Sequence, residues 1–134
     1  MAWLLDTNVW IMLLKNDMGR IGERLAAADT DDICVCSVVK AELIHGAMGY
    51  GNPPRRMDVV DEAIAPFISH PFDDEAAHHY GRIRHDLEKR GLVIGSNDLM
   101  IAAICLAHDC TLVTSNINEF SRVPGLTCED WSQP

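Results

Sequence analysis

The stretch Ala2-Trp3-Leu4-Leu5-Asp6-Thr7-Asn8 decides how the chain is read. A short apolar run stopping abruptly at Asp-Thr-Asn reads as a buried strand that delivers a carboxylate to a sheet edge, and Val9 to Lys15 behind it is helix-like. Strand, polar turn and helix place Asp6 at the carboxyl end of the strand, where open α/β sheets hold their ligands. Helix capping by Thr7 or Asn8 explains the same segment without any function. The remaining segments have to separate the two.

Working outward, Gly19 to Ala28 reads as a short helix and Ile33-Cys34-Val35-Cys36 as a second buried strand. Ser37 is a candidate N-cap for a helix over Val38 to Met48, which puts Glu42 on the face of Val38 and Val39. Gly49 to Pro54 is the clearest break, followed by a helix from about Arg55 to Ala65 and a short strand at Ile68-Ser69-His70. Asp73 or Asp74 then caps a long helix to about Arg90, with Gly91 as its stop. Gly95-Ser96-Asn97-Asp98 is a second polar turn, and Leu99 to Ala107 is a helix apolar all round, hence buried. Thr111 to Thr114 is a strand, Ser115 to Phe120 a loop or short turn, and the last strand lies near Leu126 to Cys128. Strands alternating with helices give an α/β fold with a mostly parallel sheet of four to five strands and helices on both faces. Without repeat, low-complexity tract or linker, residues 1–134 are expected to form a single domain.

Composition narrows the function. Apolar residues make up 48% and charged residues 23%, and no apolar run approaches the roughly 18 residues of a membrane span. No export signal is read at the N-terminus, so a soluble, cytoplasmic protein is expected. The cysteines Cys34, Cys36, Cys105, Cys110 and Cys128 contain no Cys-x-x-Cys pair and read as reduced core residues. The 6 histidines show no zinc-type spacing, and bound zinc is not expected. A net charge of -9 argues against loose, charge-driven attachment to nucleic acid. It does not argue against nucleic acid as a substrate, because divalent cations held by converging carboxylates make a site electropositive toward phosphate. Arg82, Arg84, Lys89 and Arg90 read as a solvated helix face.

On this frame Asp6 ends the first strand, Glu42 lies just past the second, Asp98 opens the buried helix, and Asn116 with Glu119 follows the next strand. All can reach one edge of a parallel sheet. Each has a dull explanation singly, such as an acid in a helix's first turn. A carboxylate cluster, however, repels itself unless protons or cations intervene, and hard oxygen ligands suit Mg²⁺ and Mn²⁺. Such a site fits phosphodiester hydrolysis without a protein nucleophile, and Gly95-Ser96-Asn97 lacks the second glycine of a nucleophile elbow.

Four segments in order, Leu4-Leu5-Asp6-Thr7-Asn8, Ser37-Val38-x-x-Ala41-Glu42-Leu43-x-x-Gly46, Asn97-Asp98-x-x-Ile101-Ala102 and Leu112-Val113-Thr114-Ser115-Asn116-x-x-Glu119-Phe120, resemble the PIN-domain ribonucleases, in particular the VapC toxins of bacterial toxin–antitoxin pairs. Phe120 to Leu126 and Glu129-Asp130-Trp131 resemble one branch of that group. The resemblance implies an α/β/α sandwich, Mg²⁺ or Mn²⁺, and endonucleolytic cutting of RNA, with tRNA or ribosomal RNA as substrates of relatives. It also implies that Asp6 and Asp98 match the metal-binding aspartates and Glu42 the glutamate of the second segment. Where relatives often carry a further aspartate this chain has Asn116, and Glu119 is the candidate to supply the missing charge. A homodimer and a VapB-like antitoxin lying across the active-site groove are implied as well, with Trp10, Met12, Met48 and Tyr50 as candidate receiving residues.

Two other readings share Asp6. An Mg²⁺-dependent phosphatase or receiver with an acceptor aspartate needs a lysine at the end of a later strand, whereas Lys15, Lys40 and Lys89 all fall in predicted helices. A non-catalytic PIN-fold binding module would have little use for Asp6, Glu42 and Asp98 together.

Overall fold

A computed structural model describes residues 1–15, 19–49 and 51–134. Five strands, β1 (Trp3–Leu5), β2 (Ile33–Cys36), β3 (Ile68–His70), β4 (Thr111–Val113) and β5 (Cys128–Glu129), form one sheet in the order β3-β2-β1-β4-β5. Every pairing is parallel, with Trp3 in register with both Ile33 and Thr111. The expected sheet is thus at the upper end of the expected strand number. Strands β2 and β4 are buried throughout, as a parallel sheet covered on both faces requires.

The chain steps outward from β1 to β2 and β3, then crosses back to the other side of β1 for β4 and β5. Parallel connections are right-handed, so this reversal sends the helices to opposite faces. Helices α1 (Thr7–Leu14), α2 (Arg20–Ala27), α3 (Ser37–Met48) and α4 (Pro53–Ile64) precede the reversal, and α1 packs on α2, α3 and α4. Helices α5 (Asp74–Arg90) and α6 (Ser96–Ala107) pair with each other, and the short α7 (Ile117–Phe120) leads to β5. The result is the α/β/α sandwich, and the reversal opens a crevice between β1 and β4 at the carboxyl end of the sheet.

Local chemistry sets most of the boundaries. Asp73 caps α5 by accepting a hydrogen bond from the Ala76 amide at 3.0 Å, and Gly91 ends it with φ 67°, a left-handed conformation that costs glycine nothing. In α6, Leu99, Ile101, Ala102, Ala103, Ile104 and Cys105 are all buried, so its all-round apolar character reflects a position inside the sandwich. At the far end, Glu129 accepts from both Trp3 and Trp131, whose rings meet edge to face at 5.8 Å. This clamp ties β5 back to β1. The basic residues of α5 lie on solvent, with Arg84 facing Glu88 and Arg90 facing Asp86 one turn away.

The last strand is Cys128–Glu129 rather than Leu126 to Cys128, α4 begins at Pro53, and three further boundaries differ from the expectation. Ser37 is the first residue of α3 rather than its cap, which is Cys36. Residues 96–98, expected as a turn, are the first turn of α6 with Gly95 as the cap. The segment after β4 closes into α7. In each of the last three a helix begins at or just after a polar residue whose type also suits a turn. Among the described residues no helix is long and apolar enough to cross a membrane.

Candidate active site

Asp6 follows β1 directly and is only 6% exposed. Its backbone stays in the sheet, the amide donating to the Val113 carbonyl at 2.9 Å, while its side chain caps α1. Oδ1 accepts from the Thr7 amide at 2.7 Å and Oδ2 from the Thr114 hydroxyl at 2.9 Å. The cap of α1 is thus Asp6 itself rather than Thr7 or Asn8, which are its first two residues. One oxygen is held by the helix start and the other by the end of β4, which fixes the carboxylate in the crevice.

The other acids converge on the same edge. Thr7 Oγ1 donates to Glu42 Oε1 at 2.7 Å, bringing the second turn of α3 beside the start of α1. Asp98, in the first turn of α6, lies with Oδ2 3.9 Å from where a Cβ on Gly95 would stand. Glu119 takes the Gly95 amide on Oε1 at 3.4 Å, and its Oε2 accepts from the Asn116 side-chain amide. The Asn116 backbone amide in turn donates to Thr114 Oγ1 at 3.0 Å. Asp6, Glu42, Asp98, Asn116 and Glu119 are thus brought together from four segments. Asn116 spends its amide on holding Glu119, so the two act as a pair.

Acids dominate the charge around Asp98. Burial raises the Asp98 pKa from 3.8 to about 7, and the charges of Glu119, Asp6 and Glu42 push the same way. Asp6 is also raised, first by burial and then by Glu42 and Glu119, against the lowering effect of its bonds from Thr114 and Thr7. Desolvated acids of one sign resist ionising together unless a cation joins them.

Comparison with known proteins bears on what such a crevice does. The PIN-domain family matches residues 3–126. The chain is 37% identical to the tRNA(fMet)-specific endonuclease VapC of Salmonella typhimurium, over 98% of both chains. It is 33% identical to the ribonuclease VapC2 of Rickettsia felis, over 99% of this chain and 100% of that one. Its fold superposes on DNA-bound VapBC from Salmonella typhimurium with a TM-score of 0.91 and 37% identity, covering 98% of each chain. The chain belongs to the PIN-domain family, among the VapC-type ribonucleases.

As a VapC-type PIN domain it is an endoribonuclease, and PIN-domain nucleases are metal-dependent. The donors in the crevice fit a hard divalent ion: they are carboxylate oxygens, partly desolvated, and the strongest charges acting on Asp98 are other acids. No such fit exists for an acceptor-aspartate phosphatase, since Lys15 caps the end of α1 while Lys40 and Lys89 lie within α3 and α5.

Two openings flank the acids of this PIN domain. A cleft of about 370 Å³ beside Asp6 is lined by Thr7, Asn8, Glu42, His45 and Asn97 among others. A second, of about 110 Å³ between α1, α3 and α4, is mainly apolar, with Ile11, Leu14, Leu43, Ala47 and Val60 in its wall and Glu42 at its edge. Of the residues expected to receive a partner, Trp10 is instead core, 2% exposed and packed against Phe67 at 5.6 Å. Met12 packs on the core, half-buried. Met48 is 54% exposed, and Tyr50 lies outside the described residues. The helical period places Ile11 and Leu14 on the outward side of α1 and sends Trp10 under it.

Thr7, expected only as a helix cap, donates to Glu42, and Thr114, to which the sequence assigns no task, donates to Asp6. A threonine at a strand end reads as an ordinary β-former. Only its position directly after an apolar run carried a signal.

Proposed function

We propose that residues 1–134 act as one PIN domain, a cytoplasmic RNA-cutting toxin that uses Mg²⁺ or Mn²⁺ held by Asp6, Asp98 and Glu42. The observation that carries this reading is the convergence of Asp6, Glu42, Asp98 and Glu119 on one sheet edge, held there by Thr7, Thr114 and Gly95, where burial and the surrounding acids raise the Asp98 carboxyl. A site so charged is incomplete as an acid cluster and complete once a divalent cation enters. The ion supplies Lewis acidity to the scissile phosphodiester and acidity to the attacking water.

The chain's own part is positional. Thr7 and Thr114 hold Glu42 and Asp6 at fixed angles without neutralising them, Asn116 aims Glu119 toward Asp98, and Asp98 releases its proton when positive charge arrives. Glu119 contributes negative charge that the neutral Asn116 lacks. The cleft lined by Thr7, Asn8 and Asn97 offers neutral donors for a ribose-phosphate backbone.

The relatives named above include a tRNA-specific endonuclease and a toxin solved as VapBC. By analogy the substrate class is structured RNA, tRNA before ribosomal RNA, and the partner a VapB-like antitoxin whose apolar segment enters the groove between α1, α3 and α4. Lys15 and Arg56 line that groove together with Glu42, so an arginine on the antitoxin matches the acids of the crevice beyond it, since its fork binds carboxylate bidentately. A homodimer is proposed as the working form.

The test is cleavage of total RNA by the purified chain with added Mg²⁺ or Mn²⁺, the ends mapped, beside Asp6→Asn. The wild type should cut at discrete sites and stop in excess chelator, and the folded Asn variant should not cut. Undiminished cleavage by Asp6→Asn or in chelator refutes the metal-site assignment.

A further inference from the structure

On one face of the sheet, three residues remote in sequence meet. Cys34 lies on β2 and His70 ends β3, and since Cys34 pairs with Ile68 and Cys36 with His70, their side chains share a face of the sheet on adjacent strands. Cys110 arrives from the other side, one residue before β4. The preceding Asp109 has φ 53°, the only positive φ at a non-glycine among the described residues. That left-handed residue, a conformation aspartate tolerates better than most, turns the chain out of α6 and directly into Cys110. One ligand atom each from Cys34, His70 and Cys110 lies within 4.8 Å of the other two.

We propose that Cys34, His70 and Cys110 form a zinc site, separate from the acidic crevice. Two thiolates and an imidazole are a soft donor set that selects Zn²⁺ over the hard Mg²⁺ or Mn²⁺ of the crevice. Tetrahedral bonds of about 2.3 Å to sulfur set ligand atoms roughly 3.8 Å apart, so an inward shift of about 1 Å or less closes the set. Cys34 and Cys110 are buried and His70 half-buried, which leaves room at the surface for a fourth ligand. The His108 ring stacks on His70 at 3.8 Å, and its Nε2 is buried without a hydrogen bond, with the Asp73 carboxylate 3.9 Å away. His108 thus packs against the imidazole of the set and faces Asp73.

The site is structural in character. It ties β2 and β3 to the turn after α6, whereas Asp98 lies at the other end of that helix, roughly 15 Å away at 1.5 Å rise per residue. No zinc signal is legible in the sequence because spacing rules see ligands on one hairpin or helix, and here each comes from a different element.

The test uses the full chain, reduced and with its fold checked by circular dichroism, titrated with Co²⁺ and then Zn²⁺. One equivalent of Co²⁺ should produce thiolate-to-cobalt charge transfer in the near ultraviolet and tetrahedral bands in the visible, both bleached by one equivalent of Zn²⁺ and unaffected by excess Mg²⁺. The bands should persist in Asp98→Asn and vanish in Cys34→Ser and Cys110→Ser. His70→Ala should weaken Zn²⁺ by more than the roughly 10–100-fold that loss of an outer-shell partner costs. Absence of charge transfer in the folded, reduced wild type overturns the proposal, whatever the variants do. So does a band that survives both cysteine substitutions, which would place the metal at Cys36, Cys105 or Cys128.

Discussion

Asp98→Asn separates an acid held for a cation from an acid held for the fold. In the folded, metal-free chain Asp98 keeps its proton to about pH 7, against 3.8 ordinarily. Between those values the folded state binds a proton that the unfolded state has released, so stability falls as pH rises from about 4 to about 7 and stays low above it. At about 1.4 kcal/mol per pKa unit the full effect is roughly 4 kcal/mol. Asp98 is only half-buried and interacts strongly with Glu119, which halves the figure to about 2 kcal/mol. Losing an acid from the first turn of α6 costs about 0.5 kcal/mol in the other direction. The Asn variant in chelator should then be more stable than the wild type by about 1.5 kcal/mol at pH 8, or roughly 5 °C in Tm for a domain of this size, and no more stable near pH 4. Thermal melts of both proteins across that range measure it. Mn²⁺ should raise the wild-type Tm at pH 8 and the variant's much less. A Tm difference that does not change with pH, or an Asn variant less stable at pH 8, refutes the account of acids dominating the charge around Asp98.

Thr114→Val keeps the shape of a buried side chain but removes the donor to Asp6 Oδ2 and the acceptor for the Asn116 amide; urea denaturation at pH 7 should show a loss of about 2 kcal/mol, and an unchanged midpoint would mean that the bond is idle. Glu119→Gln should raise the Mn²⁺ concentration needed for half-maximal cleavage more than Asn116→Ala does, because only Glu119 carries charge. Should Glu119→Gln leave rate and metal requirement untouched while Asn116→Ala abolishes activity, the crevice is a three-acid site completed by Asn116. Gly91→Ala, remote from the crevice and at φ 67°, should cost about 1 kcal/mol in stability and leave the cleavage rate per folded molecule unchanged.

What the sequence determined by itself was whatever depends on near neighbours. The apolar runs Trp3–Leu5 and Thr111–Val113, the aspartate ahead of α5 and the glycine behind it, and the unbroken apolar stretch of α6 are all local patterns with local causes. So is the position of each acid just past a strand or at a helix start, from which the PIN resemblance followed. Tertiary structure alone decided which groups touch. The reversal of direction after β3 brings Thr114 to Asp6 across 108 positions and Cys110 to Cys34 and His70. The packing of α1 on α3 brings Thr7 to Glu42 across 35 positions, and Trp10 turns into the core against Phe67. Burial and the summed field of distant acids, which no sequence window contains, set the Asp98 proton. Desolvation and charge act through space, and only the folded chain fixes those distances.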